Sequence, residues 1–414
     1  MTTAPVSPAL PVGFDPTDPD LIQGAVPLQE FLELRKTAPV WWVEQSPEAR
    51  AGFNDTGFWA ISRHEDICAV SKNSKDFSTS ADGVIIRFGP DMTREQVELQ
   101  NVMLINQDPP VHTTKRQIIS RGFTPRAIGA LREVLAQRAE RIVSAALEMG
   151  EGDFVENVAA ELPLQAIAEL LGVPQDDRRK LFDWSNQMLA YDDPEYDADP
   201  EVAAAEILAY AMGLAEDRKA NPQDDILTKL ITADVDGEKL TEDEFGFFVI
   251  LLAVAGNETT RNAVTHGMQA FFDHPEQWEL WKRERPSTMV DEVVRWATPV
   301  IVFQRTALRD IEIGGQLVKK GQRVGMFYAS GNHDTDVFDN PDEFDILRDH
   351  NPHLGFGAHG AHYCIGANLA RLEIEIMFNA IADRLPDIRP TGAPRRLRHA
   401  WINGIKELPV SFTG

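Results

Sequence analysis

The chain is 414 residues long, 43% hydrophobic, and carries 40 basic against 65 acidic side chains, a formal net charge of -25. That balance excludes nucleic acid or an anionic membrane as the main partner, because both demand a dominant positive field. Two cysteines, Cys68 and Cys364, are too few for a disulfide framework or a thiolate zinc site and suit a reducing, cytoplasmic compartment.

The first twenty residues, MTTAPVSPALPVGFDPTDPD, are rich in Pro and Asp and are expected to be irregular. They carry neither a positive n-region nor an apolar h-region, so no signal peptide is expected. FWAIS (58–62) predicts a short strand and RHEDICAVSKN (63–73) a helix. Residues 81–110 form a mixed stretch ending in QDPPVHT, whose prolines break any helix. Helical periodicity then dominates, over 112–122, 125–149, 161–171, 175–190, 201–219, 223–233, 241–273, 275–284 and 287–297. The acidic segment YDDPEYDADPE (191–201) reads as a solvated loop between helices, with a mobile lid over a pocket as its functional alternative. The apolar run in EFGFFVILLAVAGNE falls far short of the ~18 residues a membrane span needs. From 310 to 328, DIEIGGQLVKKGQRVGMFY alternates around Gly-Gly and predicts a β-hairpin. Residues 366–384 return to helix, and INGIKELPVSFTG (402–414) ends the chain as a strand pair. The fold class is mainly α with small β-sheets concentrated in the last third. Length alone allows two or three domains of roughly 100–200 residues, or one large α-rich unit.

Three constellations carry chemistry. In HLGFGAHGAHYCIGANLAR (353–371), Cys364 stands between Gly360 and Gly366, just before the helical pattern Leu369, Leu372, Ile376. It reads either as a buried structural thiol or as a metal ligand. The glycines leave room for a bulky group beside the backbone. The N–H groups and dipole at the helix mouth favour a thiolate. One thiolate without a second cysteine suits haem iron, whose porphyrin supplies the in-plane ligands. In AVAGNETTRN (253–262), on a helix apolar on every face, Phe248, Leu252, Ala255 and Thr259 share one side. Adjacent Glu258 and Thr259 need partners in a core. They form either a satisfied buried pair or a pair that passes protons above a flat cofactor, where small residues at 255 and 256 leave space. In DEVVRW, Glu292 and Arg295 are spaced i, i+3, which by itself reads as a solvated helix pair.

GAHYCIGANLAR resembles the haem-binding signature of the cytochrome P-450 superfamily, Phe-x-x-Gly-x-x-x-Cys-x-Gly, with Gly360, Cys364 and Gly366 on the pattern. Phe356 lies eight residues before the cysteine, where the pattern has seven. A local bulge is therefore expected in GAHG, with Phe356 or Leu354 packing near the sulfur. Ala255, Gly256, Glu258, Thr259 and Thr260 match the family's oxygen-activation motif, and Glu292 with Arg295 its buried structural Glu-x-x-Arg pair. By the same resemblance His112, Arg116, Arg305 and His362 contact the haem propionates, whose burial calls for charge-assisted bonds. The likeness covers essentially the whole chain and extends to the actinobacterial steroid C26-monooxygenases. That group shares the extra residue before Gly360 and oxidises the terminal methyl of a cholesterol-type side chain.

The resemblance implies the cytochrome P-450 fold in one domain over 21–414, with haem b between a long central helix and the helix after the cysteine loop. It implies catalytic roles for Glu258 and Thr259, and cofactor contacts from His112, Arg116, Ala255, Arg305, Gly360, His362, Cys364 and Gly366, with Cys364 on the metal. It further implies a cytoplasmic monomer without a membrane span that oxidises cholesterol or cholest-4-en-3-one. Dioxygen and electrons from a ferredoxin and its reductase complete the reaction. A long apolar pocket is expected from Val84, Ile85, Phe88, Met103, Leu104, Val254, Ala255, Val300, Phe303, Trp401 and Ile402; each reads equally well as plain core. An acidic ferredoxin calls for a local basic patch on the cysteine side, with Lys115, Arg121, Arg348 and Arg371 as candidates. The competing readings are the same haem fold acting on a fatty acid or terpenoid, and a non-catalytic haem- or lipid-binding protein. The intact Glu258–Thr259 pair speaks against a carrier.

Overall fold

The computed structural model describes residues 7–196, 199–223, 226–232 and 240–413. Its longest element starts at a reciprocal cap. Glu244 N–H donates to Thr241 Oγ1 (3.2 Å) and Thr241 N–H to Glu244 Oε2 (2.9 Å). From there a helix runs over Glu242–Asp273 and is buried along most of its length, as its all-round apolar sequence requires. Helices Glu161–Leu171, Arg178–Leu189, Pro200–Ala220, Met289–Ala297 and Ala367–Arg384 all pack on it.

A five-stranded sheet lies beside this bundle, in the order Val40–Glu44, Gly57–Ile61, Arg323–Phe327, Val302–Ala307, Phe77–Ser78. Only the Gly57–Ile61/Arg323–Phe327 pair is parallel. Every residue of Arg323–Phe327 is buried. Arg323 survives there because Asp55 takes its guanidinium (2.7 Å) and the Phe53 ring covers it at 3.7 Å. Glu292 and Arg295 are both 0% exposed and joined by two 2.8 Å bonds. Arg295 also donates to the carbonyls of Asn332, Pro341 and Glu343, and Arg348 to Glu292. The pair thus clamps the segment leading to the cysteine loop, with every charge satisfied.

Several sequence expectations need correction. The helix expected over 125–149 is two, Pro125–Gly129 and Arg132–Met149. Gly129 weakens the joint, and Leu131 N–H reaches back only to Ile128 O (3.0 Å). The 310–328 hairpin is shorter: Ile311–Ile313 pairs with Gln316–Val318, while the fully buried Arg323–Phe327 joins the large sheet. The tail strands do not pair with each other. Ile405–Glu407 pairs with Arg395–Arg396, and Pro409–Ser411 with Glu151–Asp153 and Arg389–Pro390. Leu408 N–H donates to Asp153 Oδ1 (2.7 Å), which carries the chain across to the second sheet. Eight of the twelve strands among the described residues lie in the last third, as expected, while Val40–Glu44, Gly57–Ile61, Phe77–Ser78 and Glu151–Asp153 come from earlier in the chain. A helix already begins at Pro19, capped by Asp18, and residues 1–6 lie outside the described residues. Of the helix expected over 223–233, Ile226–Thr232 is described; 224, 225 and 233 lie outside the described residues. The acidic segment is not simply solvated: Asp193 is 1% exposed and bonded to Lys406 Nζ (2.8 Å). Residues 197 and 198 of that segment lie outside the described residues. Among the described residues no helix is long and apolar enough to cross a membrane.

Candidate active site

The cysteine loop is held from several sides. Cys364 N–H donates to Phe356 O (2.9 Å), and Phe356 packs under the Arg371 guanidinium at 4.5 Å. Phe356, not Leu354, therefore lies beside the sulfur; Leu354 belongs to the separate cluster with Ile67. The extra residue in GAHG is absorbed by left-handed backbone at Gly357 (φ 87°), His359 (φ 67°) and Gly360 (φ 90°). A Cβ on Gly360 would sit 2.5 Å from Ser71 O, and Ser71 Oγ donates to His359 O (2.8 Å). On its Cβ side Gly360 thus meets the backbone of helix His64–Lys72, and it does not line the cavity at Cys364. Gly366 does face open space at the sulfur.

Cys364 is accessible because its side chain opens into a cavity between the Glu242–Asp273 and Ala367–Arg384 helices, although protein surrounds it on every other side. Burial pushes its thiol above the usual range, outweighing the N–H groups of Gly366 and Ala367 and the charges of Arg116 and Arg371. The N–H groups at the helix mouth do favour the thiolate, as expected, but burial outweighs them. A metal cation at the sulfur would supply what these groups do not.

The cavity encloses ≈ 1540 Å³ including its open mouth, and its walls are mostly apolar. At one edge gather Arg116, Arg305, His112 and His362. The two imidazole rings meet at 4.1 Å, tilted by 40°. His112 is pushed down to about 4 by burial and then by the charge of Arg116. His362 falls to about 2 by burial and then by Arg305. His112 Nδ1 is buried without a partner. Arg116 donates to Tyr363 O and Arg305 to Gln304 O (2.6 Å), so neither guanidinium meets a carboxylate among the described residues. Asp108, whose charge acts on this cluster, is taken up by Ser78, Thr79 and Ser80. Buried cations without counter-charge, beside a thiol at the cavity floor, fit a flat metal-centred group bearing carboxylates.

Across the cavity, Ala255 and Thr259 line the wall. Thr259 Oγ1 donates to Ala255 O (2.7 Å), which leaves the oxygen free to accept. Glu258 does not line the cavity. Its carboxylate takes Arg261 and Asn262 Nδ2 (2.8 Å) on the other side of the helix, and Arg261 continues to Asn186 Oδ1 (3.0 Å). A dry carboxylate needs such partners, so the expected Glu258–Thr259 pair is split between two faces. A Cβ on Gly256 would meet Ile167 Cδ1 at 2.4 Å, so that glycine makes room for a neighbouring helix.

Of the expected pocket residues, Val84, Leu104, Ala255, Val300 and Phe303 line the cavity. Ile85, Phe88, Met103, Val254, Trp401 and Ile402 do not. Phe88 stacks on Phe53 (5.3 Å), Trp401 backs Phe303 (5.9 Å), and Ile402 bridges to Val300. Ile85 and Val254 pack in the same cluster as Trp401, and Met103 packs in the main core. Periodicity identifies these as inward-facing without telling wall from backing. The face Phe248, Leu252, Ala255, Thr259 does line the cavity, whereas sequence reasoning missed Phe123, Ile167 and Leu251, all on the wall, and Glu373, which faces the cavity from Ala367–Arg384. An acid among Leu369, Leu372 and Ile376 was the available signal. The expected basic patch also changes. Lys115 pairs with Glu244, Arg348 with Glu292 and Arg371 with Asp291. Arg121 stays exposed, beside a shallow groove with Gln117 and Gly360, and exposed Lys72 adjoins Gly360.

The Cytochrome P450 family model matches residues 287–385, which span Glu292, Arg295, Arg305 and the cysteine loop. A steroid C26-monooxygenase of Rhodococcus jostii is 63% identical over 99% of this chain and 87% of its own. One of Mycobacterium tuberculosis is 58% identical over 100% of this chain and 95% of its own. Among solved structures, Mycobacterium marinum cytochrome P450 CYP268A2 in complex with pseudoionone superposes with a TM-score of 0.88. It is 36% identical and covers 99% of this chain and 100% of its own. Identity sustained from end to end, on the same fold and through the cysteine loop, means that the chain belongs to the cytochrome P450 family.

Proposed function

We propose that this P450 oxidises the terminal side-chain methyl, C26 or C27, of cholesterol or cholest-4-en-3-one, in sterol catabolism. The observation that carries the substrate class is the full-length identity with steroid C26-monooxygenases. A deep, mostly apolar cavity supports it, because a sterol is rigid and nearly featureless and needs hydrophobic wall above all.

The family's cofactor is haem, and we assign haem b to this cavity, held by residues of one catalytic unit over 21–414. Cys364 is its proposed metal ligand. Arg116, Arg305, His112 and His362 are the proposed partners of its propionates, where they find the acceptors that the protein itself does not provide. When bound, a thiolate-ligated haem supplies the oxidant by reductive activation of dioxygen. The protein's part is orientation, dryness and protons. Val84, Val300, Phe303 and Phe248 hold the substrate and keep out water. Thr259 offers its oxygen to a proton donor on the cavity side, and Glu258 is the acidic end of that path behind the helix. Electrons come from a ferredoxin and its reductase, docking at the exposed Lys72 and Arg121 beside the cysteine loop.

Titration of the haem-loaded protein with cholest-4-en-3-one tests the reading. Binding is expected to shift the haem from low to high spin, and turnover with a surrogate ferredoxin and reductase to give the side-chain alcohol and then the acid. A protein that answers no sterol, but answers a branched fatty acid or terpenoid, would change the substrate while leaving the enzyme class intact.

A further inference from the structure

The acidic segment after helix Arg178–Leu189 is fastened to the cavity wall. Trp401 Nε1 donates to Tyr191 Oη (3.0 Å). Ala400 N–H donates to Asp192 Oδ2 (3.2 Å), Arg398 N–H to Asp193 Oδ2 (3.3 Å), and the Arg398 guanidinium to Asp192 O. Lys406 pairs with Asp193 (2.8 Å) and Glu195 (2.9 Å). His399, 0% exposed, packs edge-on against Tyr191 (5.3 Å) and Trp401 (5.0 Å). Its Nδ1 accepts both Trp401 and Ile402 N–H (3.2 Å each), which fixes the turn carrying the indole. The wall itself is built on that turn. Ile301 N–H donates to Trp401 O (2.8 Å), Val300 bridges to Ile402, and the Trp401 ring backs Phe303 at 5.9 Å. Val300 and Phe303 line the cavity; Trp401 and Tyr191 do not.

We propose that Tyr191 is a positioning residue for the reaction. Its hydroxyl holds the Trp401 indole, and the indole holds Phe303, the face that aims the sterol side chain. This rests on the sterol reading above. A buried indole N–H that loses its acceptor turns to find another, and close packing passes that turn to the ring in front of it.

The haem-loaded Tyr191→Phe protein tests this, since the change keeps the ring against His399 and removes one oxygen. Oxidation is expected to spread from the terminal methyl to neighbouring carbons, with less product per reducing equivalent. The sterol dissociation constant is expected to rise a few-fold, because a displaced Phe303 ring meets the sterol less closely. Trp401→Phe is expected to give the same shift, and the double variant no more than either. A crystal structure of Tyr191→Phe should show Phe303 displaced. Unchanged regiochemistry overturns the proposal even if the melting temperature falls, because a merely structural role moves only the latter. If the wild-type protein answers no sterol, the substrate reading fails; an unmoved Phe303 ring then still overturns the present proposal, and a displaced one supports it.

Discussion

Glu373 is 1% exposed, yet neither of its oxygens has a hydrogen bond of sound geometry; Thr260 is its polar neighbour. Burial pushes its carboxyl from 4.5 up to about 8. Between those values the folded protein keeps a proton that the unfolded chain has released, so stability falls as pH rises through this window. Below the lower value both states hold the proton, and above the higher neither does. Glu373→Gln is expected to flatten the fall in melting temperature of the haem-loaded protein across the window. Parallel curves for variant and wild type would mean that the carboxyl is ionised in the fold. Thr259 makes a second prediction. Its hydroxyl already donates to Ala255 O, so what it offers the cavity is an acceptor. Thr259→Val, which keeps the shape, should divert electrons to hydrogen peroxide and cut product per electron pair several-fold, while Thr259→Ser should keep coupling. Equal peroxide yields in all three would remove Thr259 from the proton path. Cys364 and Thr259 stood out in the sequence by residue type and spacing, whereas the cationic edge came only through the family resemblance, because each of its residues alone reads as a surface group. Glu258's partner was not legible, since only the fold brings Asn186 to Arg261 and fixes which way the carboxylate turns.

At the scale of elements, the cysteine loop depends on its seat against helix His64–Lys72. Gly360 has φ 90° and no room for a Cβ, which would meet backbone at Ser71 O. Gly360→Ala therefore meets both a left-handed backbone and a clash with an atom that cannot rotate away. It is expected to cost about 1–3 kcal/mol, the range for a strained backbone position, and to weaken haem retention. Denaturant unfolding of the haem-loaded variant, together with haem transfer to apomyoglobin, measures both; wild-type values for each would show that the loop re-seats freely. The extra residue before Gly360 was visible as a spacing anomaly, but its accommodation was not, because the helix that receives it is far away in sequence. The same limit explains the strands. Arg323–Phe327 was read as half of a hairpin because alternation is local, whereas its true neighbours, Gly57–Ile61 and Val302–Ala307, are set by the sheet. Long helices fared better, since an apolar face and a cap such as Thr241 are written within the helix itself.

At the scale of the molecule, a net charge of -25 sets the terms on which the proposed ferredoxin, as an acidic donor, would approach. The far field repels it, and with Lys115, Arg348 and Arg371 held by carboxylates, attraction rests on exposed Lys72 and Arg121 beside the cysteine loop. The two effects differ in range. Screening acts over about 10 Å at 0.1 M salt, so added salt removes the distant repulsion before it weakens pairs in contact. Wild-type protein should therefore take up ferredoxin best at intermediate ionic strength, not at the lowest. Lys72→Glu and Arg121→Glu should each raise the apparent KM for ferredoxin several-fold at that optimum and shift the optimum to higher salt, with sterol binding unchanged. Glu279→Lys, at an exposed position on helix Pro275–Glu284, shifts the net charge by the same amount in the opposite direction and should act only through the far field, lowering KM slightly at low salt. If that reversal moved KM as much as the two beside the loop, recognition would lie in total charge and the patch would have no separate existence.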